Sequence, residues 1–316
     1  MSVNFLLLLL VLLIAVFFGW LTRRAFSARN PFVKWIGSIL AGLLTLLVGL
    51  FAVVSGIGIF KYYTVPARPI PDIKVEGTPE QIARGEHLAG AFCAGCHSTT
   101  GDLPLTGGMD MGADLPMPLG KYVSANLTPA GPLKDWTDGE IFRAIRANVD
   151  RDGKPLTFMS TVNVRYLSDD DIKALIAYLR NQQPVENEVP APYDRPTLLA
   201  FFMGGANLLP SPPPVEGPVA GPAMAPTADY GKFMLTFLDC KICHGADLNG
   251  GTNPATPKGP SLRLVKGWTV QQFMDTLRTG KDPGGHVLSP TMPWKPTGRL
   301  SDVELTALYK YIVSLP

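Results

Sequence analysis

Cys93-Ala94-Gly95-Cys96-His97, echoed at Cys240-Lys241-Ile242-Cys243-His244, decides how this chain is read. C-x-x-C-H is the attachment pattern for c-type haem. Two thiols three residues apart on one turn can each form a thioether to a vinyl group of one porphyrin. The next residue then projects an imidazole at the iron. The chain has 4 cysteines, and the two motifs use all of them. A zinc site would need the two distant pairs brought together, whereas structural pairs usually lie closer in sequence. A thioredoxin-like dithiol expects a βαβ context that neither motif has. Disulfides would leave the following His unexplained twice.

The 316 residues suffice for two small domains plus attachments. A net charge of +2 carries no overall basic signal, and no nucleic-acid partner is expected. The first sixty residues are mostly apolar. Phe5 to Leu21 is an uncharged run close to the minimum for a membrane span, and Trp35 to Phe60 is longer. A signal peptide would put positive charge ahead of the first run, but Met1 to Asn4 has none. The reading is a retained transmembrane hairpin over 1–62, with spans of about 5–21 and 35–60. Its loop, 22–34, holds Arg23, Arg24, Arg29 and Lys34 and no acid, which places it in the cytoplasm. The chain beyond the second span then lies on the extracytoplasmic side. Gly37, Ala41, Thr45 and Gly49 form a small-residue stripe on the second span, suited to close packing against the first span or a foreign subunit.

A Pro-containing connector covers 63–77. Thr78-Pro79-Glu80-Gln81 then carries a capping box and a Pro at the first helical position, so a helix leads into Cys93. Residues 98–130 read as loop. Further helices start at Thr137 and Ser168. The second unit repeats the first: a leading helix over about 229–239, then starts at Thr269 and Ser301. The offsets are 269 − 137 = 132 and 301 − 168 = 133, against 240 − 93 = 147 for the haem motifs. The first unit thus has 147 − 132 = 15 extra residues after its motif. This is a duplicated domain, 78–185 and 227–316. Between them, 186–226 holds an apolar patch, Thr197 to Leu209, and a stiff linker with Pro210, Pro212, Pro213, Pro214, Pro218, Pro222 and Pro226. The patch could meet the membrane surface, a partner or the haem domains; packing within the protein is the default.

His97 and His244 are the expected proximal ligands. Met159 and Met292 stand before the last helix of each unit at an offset of 292 − 159 = 133, matching that of the helix starts. Met with His ligation raises haem potential and suits electron transfer. Repeat-matched methionines are hard to explain as core filler. The rivals are weaker: His286 and Met117 have no counterpart in the other unit, Met109 and Met111 fall in the extra loop, and His87 reads as a helix-surface residue.

Each unit resembles a class I c-type cytochrome domain. In the first, Tyr122 to Pro129, Trp136 to Glu140 and Tyr166 to Asp171 are similar to cytochrome c subunits of bacterial membrane-linked dehydrogenases acting on alcohol, aldehyde, gluconate or nicotinate. The similarity covers about 78–316, and Leu198 to Leu209 is faintly like a stretch between haem domains there. Those subunits commonly carry three haem domains and often anchor at the other chain end. They usually have Pro where this chain has Ser160. The resemblance implies a mainly α fold, in which an N-terminal transmembrane helical hairpin precedes two class I cytochrome c domains. It implies two covalently bound haem c groups, held by Cys93, Cys96, His97 and Met159 and by Cys240, Cys243, His244 and Met292.

The expected role is a membrane-anchored dihaem electron carrier within a larger redox complex, non-catalytic itself, passing electrons to a soluble cytochrome or oxidase. The alternatives are a dihaem peroxidase, which would keep one iron five-coordinate, and a cytochrome subunit of a haem-copper oxidase.

Overall fold

The computed structural model describes residues 2–66, 68–191, 193–209, 213–253 and 256–316. Pro210 and Pro212 of the linker lie outside them. The chain opens with two long helices, α1 (Ser2–Phe26) and α2 (Ser38–Tyr63). A π-helical turn, Val33–Gly37, runs directly into α2. The apolar spans are 24 and 31 residues, longer than the uncharged runs alone suggest. At 1.5 Å per residue they reach about 36 and 46 Å, more than a hydrocarbon core of about 30 Å. Arg24 lies over the Trp20 ring and Lys34 over Phe26, so the cations stay at the hairpin's closed end.

The small-residue stripe faces α1. A Cβ on Gly37 would sit 3.4 Å from Ala25, and one on Gly19 would sit 3.6 Å from Thr45. Gly49 has nothing within 4 Å. Small residues let the two backbones approach where apolar side chains gain nothing over lipid.

The first haem-motif unit comprises α3 (Pro79–Leu88), α4 (Ala94–His97), α5 (Asp138–Ala147) and α6 (Asp169–Asn181). A π turn, Ala89–Cys93, joins α3 to α4. Beyond α7, described below, the second comprises α8 (Ala228–Met234), α9 (Cys240–His244), α10 (Val270–Thr279), α11 (Trp294–Thr297) and α12 (Asp302–Ser314). Capping boxes form at Thr78, Thr137, Thr269 and Ser301, so the sequence signals act where they stand. The leading helix of the second unit stops at Met234, short of the expected 239, and turns through Leu235 to Asp239.

Both units share one crossing. The leading helix meets the last helix at a glycine: a Cβ on Gly85 would lie 1.9 Å from Ala174 O, and one on Gly231 would lie 2.1 Å from Ala307 O. Only a residue without Cβ permits that approach. The buried residues of both units merge into one apolar cluster, running from Leu88 through Ile176 and Phe237 to Leu305.

The loop over 98–130 is not wholly irregular. Gly120–Tyr122 forms β1, which pairs antiparallel with β2 (Asp194–Pro196), Lys121 opposite Arg195. Leu105 to Ala125 takes 21 residues where the corresponding Leu248 to Pro260 takes 13, so about half of the first unit's extra length builds this hairpin-like platform. The platform seats α7 (Leu198–Gly205), the helix formed by the apolar patch. Leu119, Tyr122 and Ala200 are buried together there, with Phe158 against them.

The opposite side of α7 packs on α2. A Cβ on Gly58 would fall 1.8 Å from Phe201 O, and one on Gly205 would fall 2.0 Å from Val54 O. Phe51 stacks on Phe202, Tyr62 meets Phe201 edge-on, and Asn4 Nδ2 donates to Pro196 O at 2.9 Å. The patch therefore packs within the protein, on the apolar hairpin. The described part of the linker returns along the first unit, where Val219 exchanges hydrogen bonds with Asp169 at the start of α6.

Candidate haem sites

In each unit the motif histidine is oriented by a backbone carbonyl. His97 Nδ1 donates to Ala125 O at 3.0 Å, and His244 Nδ1 donates to Pro260 O at 2.7 Å. This fixes the tautomer and leaves Nε2 with a lone pair to present to a metal, the usual arrangement around a ligating imidazole. Burial pushes the His97 pKa down, opposed by the carbonyl bond, so the ring is held neutral. The carbonyls are themselves fixed. Asn126, buried beside Ala125, donates to Val185 O and accepts from Thr128. In the second unit, Gly259 N donates to Cys243 O at 2.8 Å, and a Cβ on Gly259 would lie 2.7 Å from His244 Nδ1.

No disulfide joins the four cysteines, and burial dominates the chemistry of Cys93 and Cys240. It pushes Cys93 up to about 12, with Cys96 adding to the effect, and pushes Cys240 up to about 11, with Asp239 adding. Such thiols are poor thiolates at neutral pH, the reverse of a redox-active dithiol. Among the described residues no group of three or more His, Cys, Asp or Glu is placed to hold a metal ion. Zinc and dithiol readings therefore lose support.

The second unit encloses an apolar cavity of about 290 Å³. Cys240, Cys243, His244 and Met292 all line it, with walls from Leu262, Val265, Trp268, Phe273, Leu277 and Leu308. A single cavity thus brings together both thiols, the imidazole and the predicted distal methionine, inside an apolar wall suited to a porphyrin. His286 also lines it but is exposed. In the first unit, Cys93, Leu127, Trp136, Met159 and Tyr166 are each half-buried against the apolar core that the two units share. These residues fit a covalently attached haem.

The methionine loops match as well. Leu156 N donates to Asn148 O, and Leu288 N donates to Gly280 O, each at 2.8 Å. Asn148 and Gly280 both end their helices with positive φ, 54° and 70°. Ser160, in place of the usual Pro, donates its N–H to Leu156 O at 3.1 Å and its hydroxyl to Thr157 O at 2.6 Å. A proline has no N–H for the first bond. Thr157 N donates to Asp194 of β2 at 3.1 Å, so the Met159 loop is tied to the strand that precedes α7.

The sequence did not single out Arg165 or Arg146. Arg165 is 3% exposed and donates to Ser160 O and Val162 O, bracing the Met159 loop from below. Arg146 donates to Leu167 O at 2.8 Å and to Asp169 at 2.6 Å. A helix-embedded Arg near the loop carries no motif, so nothing marked these two. His87 is not an ordinary surface residue. Its Nε2 lies 2.7 Å from Glu304 Oε2, in the other unit.

The two sites are held against each other. Phe92, just before Cys93, meets Phe237 edge-on at 5.6 Å. Arg299 donates to Gly90 O and Gly101 O, each at 2.7 Å, and to Asp102. Asn163 donates to Asp239 at 2.6 Å.

Both units also match known protein families. Residues 82–183 match the cytochrome c family, and residues 223–312 match the family described as cytochrome c oxidase, cbb3-type, subunit III. The gluconate 2-dehydrogenase cytochrome c subunit of Pantoea cypripedii is 29% identical over 275 residues, covering 74% of this chain and 59% of that protein. The fructose dehydrogenase cytochrome subunit of Gluconobacter japonicus is 24% identical over 283 residues, covering 80% and 56%. A nicotinate dehydrogenase subunit of Pseudomonas putida is 35% identical over 129 residues, covering 38% of this chain and 10% of its own. The chain thus spans a little over half the length of the two longer-matching relatives. It is mostly helical and carries two cytochrome c domains, which implies covalently bound haem c.

Proposed function

We propose that this chain, two cytochrome c domains behind an apolar helical hairpin, is a membrane-anchored electron-transfer subunit holding two haem c groups. It is read as part of a larger redox complex, like the dehydrogenase cytochrome subunits it resembles. Haem bound at these sites supplies one-electron iron chemistry. Cys93 and Cys96, and Cys240 and Cys243, would attach it. His97 and His244 would present Nε2 to the iron, and Met159 and Met292 a thioether sulfur. The protein's own work is to hold these groups, keep water from the cavity wall, and fix the separation of the two sites.

One observation carries the reading. The second domain's cavity collects both thiols, an imidazole whose Nδ1 is committed to Pro260 O, and Met292. The loop hydrogen bond beside Met292 recurs beside Met159. A peroxidase would leave one iron without a sixth ligand, and the repeated methionines argue against it. The basic residues at the hairpin's closed end, Arg23, Arg24, Arg29 and Lys34, support a cytoplasmic turn and haem domains on the extracytoplasmic side.

Pyridine-haemochrome analysis of the purified full chain tests this reading; two c-type haems per chain are expected, and one or none overturns it. Met159→Leu and Met292→Leu should each abolish the methionine–iron charge-transfer band of one haem and lower its potential. An unchanged spectrum in either would reject that methionine as a ligand.

A further inference from the structure

The two domains differ in what their cations do. Residues 78–185 hold ten Lys and Arg against thirteen Asp and Glu, and 227–316 hold ten against seven. In the first domain the cations are mostly committed. Arg146, Arg151, Lys173 and Arg180, for example, pair with carboxylates, and Arg143 and Arg165 donate to backbone carbonyls.

In the segments that build the second domain's cavity, by contrast, stand five cations without an ion-pair partner among the described residues. Lys241 lies between the two motif cysteines, and Lys258 lines the cavity. Arg263 and Lys266 lie on the 3-10 turn Leu262–Gly267, whose apolar residues form the cavity wall. Lys281 adjoins Asp282, another wall residue. All five are exposed, and among the described residues none comes within ion-pair distance of a carboxylate. Several carboxylates close to them in the chain are already engaged. Asp282 accepts the amides of Gly284 and His286, Asp247 that of Asn249, and Asp239 the Asn163 side chain. Exposed apolar side chains occupy the same segments: Ile242 at 44% exposure, Leu264 at 45% and Val287 at 64%. An apolar centre with an unpaired cationic rim is the make-up of a transient, electrostatically steered interface. The first domain adjoins α7 and the hairpin, whereas the second packs on the first.

We propose that the rim of the second domain's cavity is the docking surface for a soluble electron-transfer protein with an acidic face. The proposal rests on the dihaem reading above and adds to it which domain meets the soluble partner and the partner's charge. Desolvating the apolar centre supplies contact. The cations supply attraction and orientation, which salt screens.

The test uses the full haem-loaded chain in a non-ionic detergent. Its binding is measured with plastocyanin as an acidic one-electron probe and mitochondrial cytochrome c as a basic one. Plastocyanin should bind, with its Kd rising about tenfold or more as salt goes from about 20 to about 300 mM. Arg263→Gln/Lys266→Gln/Lys281→Gln should weaken that binding about tenfold at low salt without changing haem content. Lys121→Gln/Lys134→Gln, in the first domain, should leave it unchanged, and cytochrome c should not bind. The proposal is overturned if plastocyanin fails to bind, if salt has no effect, if the first-domain variant weakens binding as much, or if cytochrome c binds equally. Two haems with such a result would reject the docking surface and leave the dihaem reading standing. Fewer than two haems would reject both.

Discussion

Arg84, on the leading helix of the first domain, donates to Glu304, on the last helix of the second, at 2.7 Å, and the glutamate is 1% exposed. Arg84 also donates to Asp171 at 2.8 Å. Asp171 and Glu304 are repeat-equivalent, since 304 − 171 = 133. One guanidinium therefore joins the same position of two copies of one fold. It sits beside Gly85 at the helix crossing of its own domain, and its second amino group donates to Tyr230, which is beside Gly231 in the other. His87 takes the remaining Glu304 oxygen.

Removing Arg84 should be costly, because Glu304, buried in the interface, keeps only His87 and Ser301, and Asp171 loses its guanidinium. Arg84→Ala is expected to destabilise the haem-loaded protein by about 3–5 kcal/mol. Thermal unfolding followed by circular dichroism checks the loss. X-ray scattering in solution should show the two domains further apart. An unchanged melting temperature would show that the aromatic and Arg299 contacts hold the interface alone.

The same pair sets an acid limit. Burial raises the Glu304 pKa, but hydrogen bonds from His87 and Arg84 more than offset this and bring it from 4.5 to about 2. A lowered folded-state pKa means the carboxylate stabilises the fold fully above the unfolded value. The contribution declines as pH falls below about 4.5 and is gone below about 2. Domain separation followed by scattering should therefore rise across that window. Glu304→Gln should shift the rise away from it, and an identical pH profile in the variant would refute the assignment.

Gly259 is required by the imidazole beside it. In Gly259→Val, a Cβ 2.7 Å from His244 Nδ1 must displace the ring or the loop that carries Pro260 O. The expected outcome is loss of one haem per chain, read by pyridine haemochrome, with the first domain's haem retained. Two haems with an unchanged spectrum would mean that the loop yields without cost.

The hairpin and α7 should be mutually dependent. Gly58→Leu or Gly205→Leu removes the close approach of α2 and α7, and limited proteolysis should then cut within 197–209 while haem content stays constant. Deleting residues 1–62 should leave a haem-loaded protein that needs detergent, because Leu198 and Phe201 lose their cover. Adding Phe201→Ser to the truncation should relieve that need. A truncated protein that is monodisperse without detergent would contradict the packing.

Much of this molecule was readable from local chemistry. Capping boxes, the spacing of thiols and imidazole, and a repeat offset are short-range signals, so Thr78, Thr137, Thr269 and Ser301 could be placed before any contact was known. The methionines stand out as candidates because duplication puts them at matched places. The leading helix of the second domain ends before the expected 239, since nothing local marks a stop at Met234. Ser160 looked like a departure, yet its own N–H and hydroxyl close the turn.

The kind of protein was determined by the sequence alone: two cytochrome c repeats behind an apolar hairpin, each with its C-x-x-C-H motif and a candidate methionine. Only the tertiary structure decided how the parts are joined. His87 and Glu304 are ordinary residues until folding brings positions 217 apart in the chain within 2.7 Å. The apolar patch became a helix clasped between the extra loop of the first domain and the end of α2. The physical reason is range. A cap or a haem motif is satisfied within a few residues, whereas a buried ion pair or a glycine crossing exists only once two distant backbones share one desolvated space.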